Sequence, residues 1–259
     1  MMSKNVKKKK YKTRIEKNKR RYNNNYSPVK ESKSNKLLLL ILVVSLVFNV
    51  VFLIKNEDLN DSMSEQKDSY EKQLKELSDY YTTYLFLGDS ITDFYDLDKY
   101  FEGMPVVNSG ISGDTTLDIL DNMKERVYDY KPDKVILLIG TNDLIHNISV
   151  EEVISNIEEI ITKIKENEPK ADIYVQSIYP VNDNLDEEMV SVRDNEDIMK
   201  INDSIEKYCQ DHDCTYINMY DLLTDEDGNF NEEYTEDGLH PNDKCYEVIT
   251  KELKKYLDA

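Results

Sequence analysis

The sequence is poor in cysteine and histidine, with three of each in 259 residues. It contains no Cys-x-x-Cys pair and none of the clustered Cys and His spacing of a zinc site. The odd number of cysteines (Cys209, Cys214 and Cys245) argues against a disulfide scaffold, although one disulfide beside one free thiol stays open. His146 and His212 stand alone and are interpreted as ordinary surface or core residues. We therefore expect no metal and no cofactor.

Basic residues are scarce beyond the amino terminus. Residues 1–36 hold 14 of the 33 Lys and Arg and two of the 52 acids, a net charge of +12, whereas the remainder carries −31. The two parts therefore face different surroundings. The basic lead could bind nucleic acid, but beside an apolar run it is better interpreted as a topology determinant that touches anionic lipid head groups. We expect residues 1–36 to be disordered and cytoplasmic, with no nucleic acid partner.

Long hydrophobic runs are also absent, with one exception. Leu37 to Ile54 is a stretch of 18 residues without a charge, and as a helix it would span roughly 27 Å, close to the hydrocarbon thickness of a bilayer. A cleavable signal peptide is the rival interpretation, but no small-residue cleavage site follows Ile54. Because basic flanks stay in the cytoplasm, we predict a single-pass signal anchor in the cell membrane with the following domain outside the cell.

Residues 55–81 are polar and predict a helical stalk. Apolar residues recur through Met63, Tyr70, Leu74, Leu77 and Tyr81 at spacings of seven, four, three and four. This is too short for a firm coiled-coil prediction, so a helical spacer is preferred and a weak dimer through the stalk stays open.

From residue 82 to residue 259 the pattern alternates between strands and helices. Helices are predicted over 149–165, where Ser149 and Glu152 form a capping box, and over about 114–129, 195–210 and 242–257, with Leu117, Leu120 and Val127 inward in the second. Alternating strands and helices favour one α/β domain, in which a five-stranded parallel sheet is covered on both faces in three layers. The predicted strands are 84–87, 105–108, 134–139, 172–178 and 215–218.

Polar motifs follow several of these strands. The first strand ends in "GDSI", where Ser90 could merely cap the next helix. The second leads into "NSGISGDTT" with Gly110, and the third into "GTND" with Asn142. Because the carboxyl ends of parallel strands share one edge of the sheet, these residues should converge on one crevice.

The crevice has the residue types of nucleophilic catalysis. A serine hydroxyl needs a base, and histidine titrates in the right range. In "DGLHP", Asp237 lies three residues before His240 and can fix its tautomer. The backbone N–H groups of Ser90 and Gly110 and the amide of Asn142 would serve as an oxyanion hole. Neighbouring Asp89, Asp93 and Asp143 are interpreted as helix caps or loop contacts.

These four blocks, in this order, resemble those of the SGNH (GDSL-type) hydrolases over roughly residues 82–258. The resemblance implies a flavodoxin-like fold and metal-independent hydrolysis of esters or thioesters. It further implies Ser90 as nucleophile, His240 as base and Asp237 as its orienting acid, with Ser90, Gly110 and Asn142 as the oxyanion hole. The sequence departs from the family where Cys245, and not glycine, precedes Tyr246.

The substrate class is inferred from the surroundings of the domain and from its charge. An anchored extracellular domain meets envelope glycans and lipids, and residues 181–194 are acidic without a long apolar insertion. A domain carrying −31 should also repel anionic head groups. We expect a serine esterase that removes O-acetyl or other short O-acyl groups from carbohydrate. A lysophospholipase-like lipase is the alternative enzyme, and a catalytically silent membrane-tethered scaffold is the alternative of another class.

Overall fold

The structure, a computed structural model, describes residues 40–47, 67, 69, 70 and 82–257. The chain divides into two compact units, Met1–Tyr81 and Thr82–Ala259. In the first unit, residues 40–47 are helical and expose their apolar side chains. The rest of the predicted anchor, the basic segment 1–36 and most of the predicted stalk lie outside the described residues. Within the part of the chain that is described, no helix is long and apolar enough to cross a membrane.

The second unit is built around a five-stranded sheet. Every strand pairs in parallel, in the order β2-β1-β3-β4-β5. This confirms the predicted α/β class and parallel sheet, and each observed strand lies within two residues of its predicted bounds. The strands are β1 (Tyr84–Gly88), β2 (Val106–Gly110), β3 (Lys134–Leu138), β4 (Asp172–Gln176) and β5 (Thr215–Ile217).

Helices cover both faces of the sheet. Along β1 the side chains alternate, so that Tyr84 and Phe86 join the apolar cluster beneath the last helix while Leu85 and Leu87 are buried on the opposite face. The helices are α1 (Ser90–Asp93), α2 (Leu97–Tyr100), α3 (Thr116–Leu120), α4 (Met123–Arg126), α5 (Thr141–Ile145), α6 (Val150–Asn167), α7 (Glu187–Val190), α8 (Asn195–Asp211), α9 (Tyr220–Leu223) and α10 (Asp243–Leu257), with a 3-10 turn at Tyr128–Tyr130.

The three long helices α6, α8 and α10 confirm the predicted elements. Ser149 caps α6 by accepting a hydrogen bond from the backbone N–H of Glu152 at 3.2 Å. The buried face of α6 carries five apolar residues at helical spacing: Val153, Ile157, Ile160, Ile161 and Ile164.

The predicted helix over 114–129 is wrong as a single element. It is interrupted at Asn122, whose side chain donates to the carbonyl of Asp118 at 2.8 Å and so competes with the helical ladder. Leu117, predicted inward, is exposed. The reason is that the Asp143 carboxylate accepts hydrogen bonds from the backbone N–H and the hydroxyl of Thr116. These bonds turn Thr116 and Ile119 inward and leave Leu117 facing solvent.

Candidate active site

Three loops of the site leave the same edge of the sheet. Gly88, the last residue of β1, pairs with Gly110 on one side and Leu138 on the other. Ser90 follows Gly88 by two residues and is the first residue of α1. Asn142 follows β3 and lies in α5. In the strand order 2-1-3-4-5, the chain moves from β1 to β2 on one side and then crosses to β3 on the other side of β1. The crevice at this reversal of strand order is where such sheets bind ligands.

Ser90, His240 and Asp237 form a continuous hydrogen-bonded chain. His240 Nε2 lies 3.1 Å from Ser90 Oγ, and His240 Nδ1 lies 2.7 Å from Asp237 Oδ2. A carboxylate can only accept, so Nδ1 carries the proton and Nε2 is left to accept from the serine hydroxyl. The arrangement therefore has the geometry needed to remove the proton of Ser90.

The turn that carries Asp237 and His240 is held from both sides. Asp237 Oδ1 accepts from the backbone N–H groups of Leu239 at 3.0 Å and His240 at 2.7 Å. Gly238 has a φ of +75°, and a Cβ there would lie 2.0 Å from the carbonyl oxygen of Asn182. Only glycine fits this position, so the turn is locked against its neighbour.

Hydrogen bonding keeps Asp237 ionised. Burial alone would raise the pKa of Asp237, but the backbone N–H and the imidazole of His240, together with the N–H of Leu239, outweigh burial and lower that pKa. An ionised Asp237 stabilises the imidazolium that forms when His240 takes a proton.

Two of the three predicted oxyanion-hole groups are available. As the first residue of α1, Ser90 has no intrahelical acceptor for its N–H. One N–H of the Asn142 amide donates to the carbonyl of Asp114 at 3.0 Å, and the second has no partner among the described residues. Both can donate to a developing oxyanion.

Gly110, the third predicted donor, is engaged elsewhere. Its N–H donates to Asn108 Oδ1 at 2.8 Å, so it is not a free donor in this structure. A Cβ at Gly110 would lie 2.2 Å from the backbone nitrogen of Asp93. This glycine is explained by the close approach of α1 to the end of β2.

Gly113, which the sequence analysis did not select, is a better backbone candidate. It has a φ of +83°, and its N–H has no acceptor among the described residues. Its neighbour Asp114 carries the carbonyl that binds Asn142. The signal was present in the same motif, where Gly113 follows Gly110 by three residues.

The acids beside the motifs act as caps and loop contacts, as predicted. Asp89 Oδ1 accepts from the N–H of Ile91 at 3.0 Å, Asp93 accepts from Ser112 at 2.6 Å, and Asp143 holds Thr116. Asp89 Oδ2 is buried without a hydrogen-bond partner within the described part of the chain. Burial raises the pKa of Asp89 from 3.8 to about 7, against the lowering effect of the Ile91 N–H.

We predict that Asp89→Asn flattens the pH dependence of stability. Because the folded protein holds a proton at Asp89 more tightly than the unfolded chain, the wild-type free energy of unfolding should fall as pH rises from about 4 to about 7. At about 1.4 kcal/mol per pKa unit, the loss has an upper bound of about 4 kcal/mol. Urea unfolding between pH 4 and 8 measures it, with exposed Asp227→Asn as control. Equal slopes in all three proteins would contradict the prediction.

The comparisons with known proteins agree with this geometry. Residues 86–248 match the GDSL-like Lipase/Acylhydrolase family. The structure of a Streptococcus pneumoniae protein described as a candidate platelet activating factor superposes with a TM-score of 0.65 at 33% identity, covering 84% of this chain and 99% of that one.

Two curated relatives are similar over part of their length. The N-acylneuraminate cytidylyltransferase of Streptococcus agalactiae serotype V is 27% identical over 194 residues, which cover 75% of this chain and 43% of that protein. Human platelet-activating factor acetylhydrolase IB subunit alpha2 is 34% identical over 101 residues, covering 37% and 43%. The chain thus spans less than half the length of these relatives. With its family match and a structural neighbour that is covered over 99% of its length, the chain belongs to the GDSL-like lipase/acylhydrolase (SGNH) family.

Proposed function

We propose that the chain is a serine esterase that removes short O-acyl groups, above all O-acetyl groups, from envelope or extracellular carbohydrate. The observation that carries the esterase part is the hydrogen-bonded chain from Ser90 through His240 to Asp237. The acyl and alcohol parts of the substrate are argued separately below.

In the proposed reaction Ser90 Oγ attacks the carbonyl carbon of the ester while His240 Nε2 takes its proton. The oxyanion is bound by the N–H of Ser90, the free N–H of Asn142 and the N–H of Gly113. The intermediate collapses to an acyl-Ser90 as His240 returns the proton to the leaving alcohol. A water molecule then repeats the sequence, with His240 as base, and releases the carboxylic acid.

Crowding at the nucleophile supports a small acyl group. Ser90 exposes only 7% of its surface. The ring of Phe94 lies 5.2 Å from the imidazole of His240, centroid to centroid, and is itself exposed. Of the relatives, the human protein is named as an acetylhydrolase, which is consistent with an acetyl ester.

Charge and relatives support a carbohydrate alcohol. The part of the chain after residue 36 carries −31 and should repel anionic head groups at close range. The Streptococcus agalactiae relative is named for an N-acylneuraminate, and this supports a carbohydrate through the sugar itself and not through its charge.

One observation favours a lysophospholipase-like activity as the second candidate. Residues 181–194, interpreted from sequence as polar, expose three apolar side chains: Leu185, Met189 and Val192. The segment reaches the site, because Arg193 binds the side chain of Asn142. An apolar surface at this place could contact an acyl chain.

We predict faster hydrolysis of p-nitrophenyl acetate than of the butyrate and octanoate esters by the purified full-length chain. Ser90→Ala should lower the rate by roughly 10⁴-fold or more, because it removes the nucleophile. Ser204→Ala on α8, where the serine hydroxyl donates only to the carbonyl of Lys200, is the matched control and should keep full activity.

A second comparison tests the alcohol part of the proposed ester substrate. Release of acetate from an O-acetylated polysaccharide, measured beside release of fatty acid from a lysophospholipid, should favour the polysaccharide. Preference for octanoate and for the lysophospholipid would replace the first candidate with the second. Equal rates for the wild type and Ser90→Ala would overturn both.

We also propose that Leu37–Ile54 anchors the chain in the cell membrane, with residues 1–36 cytoplasmic and the hydrolase domain outside. The uncharged run and the basic flank support this orientation. Protease added to intact cells should then digest the hydrolase domain, while a cytoplasmic control protein survives. Full protection of the domain until the cells are lysed would contradict this orientation.

A further inference from the structure

Residues 181–194, which we call the bridging segment, contact both halves of the site. Near its start, the N–H of Asn182 donates to the carbonyl of Gly238 at 2.9 Å, in the turn between Asp237 and His240. Near its end, Arg193 Nη2 donates to Asn142 Oδ1 at 2.9 Å. The segment thus joins the catalytic turn to the Asn142 amide.

The guanidinium of Arg193 is buried and bound on all three nitrogens. Nε donates to the carbonyl of Thr141 at 3.1 Å, and Nη1 donates to the carbonyls of Met189 and Val190, each at 3.0 Å. With 8% of its surface exposed, this side chain cannot exchange these partners freely with water. The guanidinium of Arg193 therefore holds its N–H donors in a fixed position beside the side chain of Asn142.

We propose that Arg193 is a positioning residue, which sets the side-chain amide of Asn142 with its N–H groups toward the oxyanion. This inference rests on the proposed function. The two ends of an Asn amide have nearly the same shape, and a flipped amide would present an oxygen to the developing negative charge. Arginine has no acceptor, so it can bind only the oxygen end. The positive charge of the guanidinium, which lies next to that oxygen, also strengthens the N–H donors at the other end of the amide.

The test is a double-mutant cycle with Arg193→Lys and Asn142→Ala. Lysine keeps the charge but cannot serve four separated acceptors. Asn142→Ala should lower kcat by about 100- to 1,000-fold. Arg193→Lys should lower kcat by about 10- to 100-fold through misplacement, with KM unchanged, and should have less than about a twofold effect once Asn142 is alanine. Exposed Glu187→Ala on α7 is the control and should keep full activity.

The outcomes separate the positioning role from the function. If Arg193→Lys is equally harmful in both backgrounds, Arg193 acts other than through Asn142 and the inference is overturned. The side-chain amide resonance of Asn142, identified by its loss in Asn142→Ala, gives a readout independent of activity. It should move in Arg193→Lys even if no ester is hydrolysed; an unmoved resonance would overturn the inference whatever the activity.

A second inference comes from two cysteines that lie near the amino ends of the strands, at the end of the sheet opposite the site. Cys209 lies in the last turn of α8 and Cys214 directly precedes β5, so the pair lies at the amino end of β5. The site lies at the carboxyl ends of β1 and β3 in the same parallel sheet. The two Sγ atoms are 2.7 Å apart. Cys245 is buried in the apolar cluster under α10, of which the other two are not members.

We propose that Cys209 and Cys214 are a disulfide-forming pair, leaving Cys245 as a free thiol. An S–S bond is about 2.0 Å long, so a shift of about 0.7 Å closes it. Lys165 donates to the carbonyls of His212 and Asp213, between the cysteines. The Cys209 thiol, and next the Lys165 ammonium, lower the pKa of Cys214, which favours Cys214 as the attacking thiolate.

The oxidant is a small-molecule disulfide such as glutathione disulfide. Cys214 thiolate attacks one of its sulfur atoms and expels the first glutathione thiolate, forming a mixed disulfide. Cys209 then gives its proton to water and attacks Cys214 Sγ, expelling the second. Two cysteine thiols are oxidised and the small disulfide is reduced to two thiols.

Intact mass spectrometry of the full-length chain after incubation with glutathione disulfide tests the pair. The product should be lighter by two hydrogens and, when unfolded, should take up one maleimide, on Cys245. In Cys209→Ser the reaction should stop with glutathione on Cys214. Ester hydrolysis should not change on oxidation, because the site lies at the other edge of the sheet. Pairing of Cys245, or three alkylated cysteines, would overturn the inference.

Discussion

The hydrogen bond between His240 and Ser90 joins residues 150 positions apart, and the rest of the domain holds its two ends. Ser90 is placed by β1, which is buried along its whole length between β2 and β3. His240 is placed by a turn that packs a glycine against the backbone of Asn182. Neither partner can move without disturbing main chain, so in the proposed reaction the base and nucleophile are held ready before substrate binds.

The domain also buries several ionisable side chains. Asp89, Asp114 and Asp143 are buried with Arg126 and Arg193. Arg126 pairs with Asp114 and also binds the carbonyls of Gly88 and Ser109, so it fastens the ends of β1 and β2 together. Burying such groups is costly and adds little net stability. Their contribution here is to fix the direction of loops that carry reacting groups.

Much of this arrangement could be predicted from the sequence. The strands follow from short apolar runs, and the residues of the triad follow from motifs at strand ends and from one Asp and His three residues apart. What could not be predicted depends on contacts between distant residues. Gly110 and Gly113 stand in one motif, and only the side chain of Asn108 decides which N–H is occupied. Arg193 is a single basic residue in an acidic segment, and its partner Asn142 lies 51 positions away. The break after Leu120 likewise depends on an Asn side chain that competes with the helix.

The two ends of the hydrolase domain lie together at the amino edge of the sheet. The N–H of Thr83, just before β1, donates to Asp133 Oδ2 at 2.8 Å, just before β3. At the other end of the chain, Lys134 Nζ donates to the carbonyl of Leu257 at 3.0 Å. Ser90 opens at the carboxyl edge, a full strand length away. A bulky polymer can therefore approach Ser90 without passing the place where the chain enters and leaves the domain.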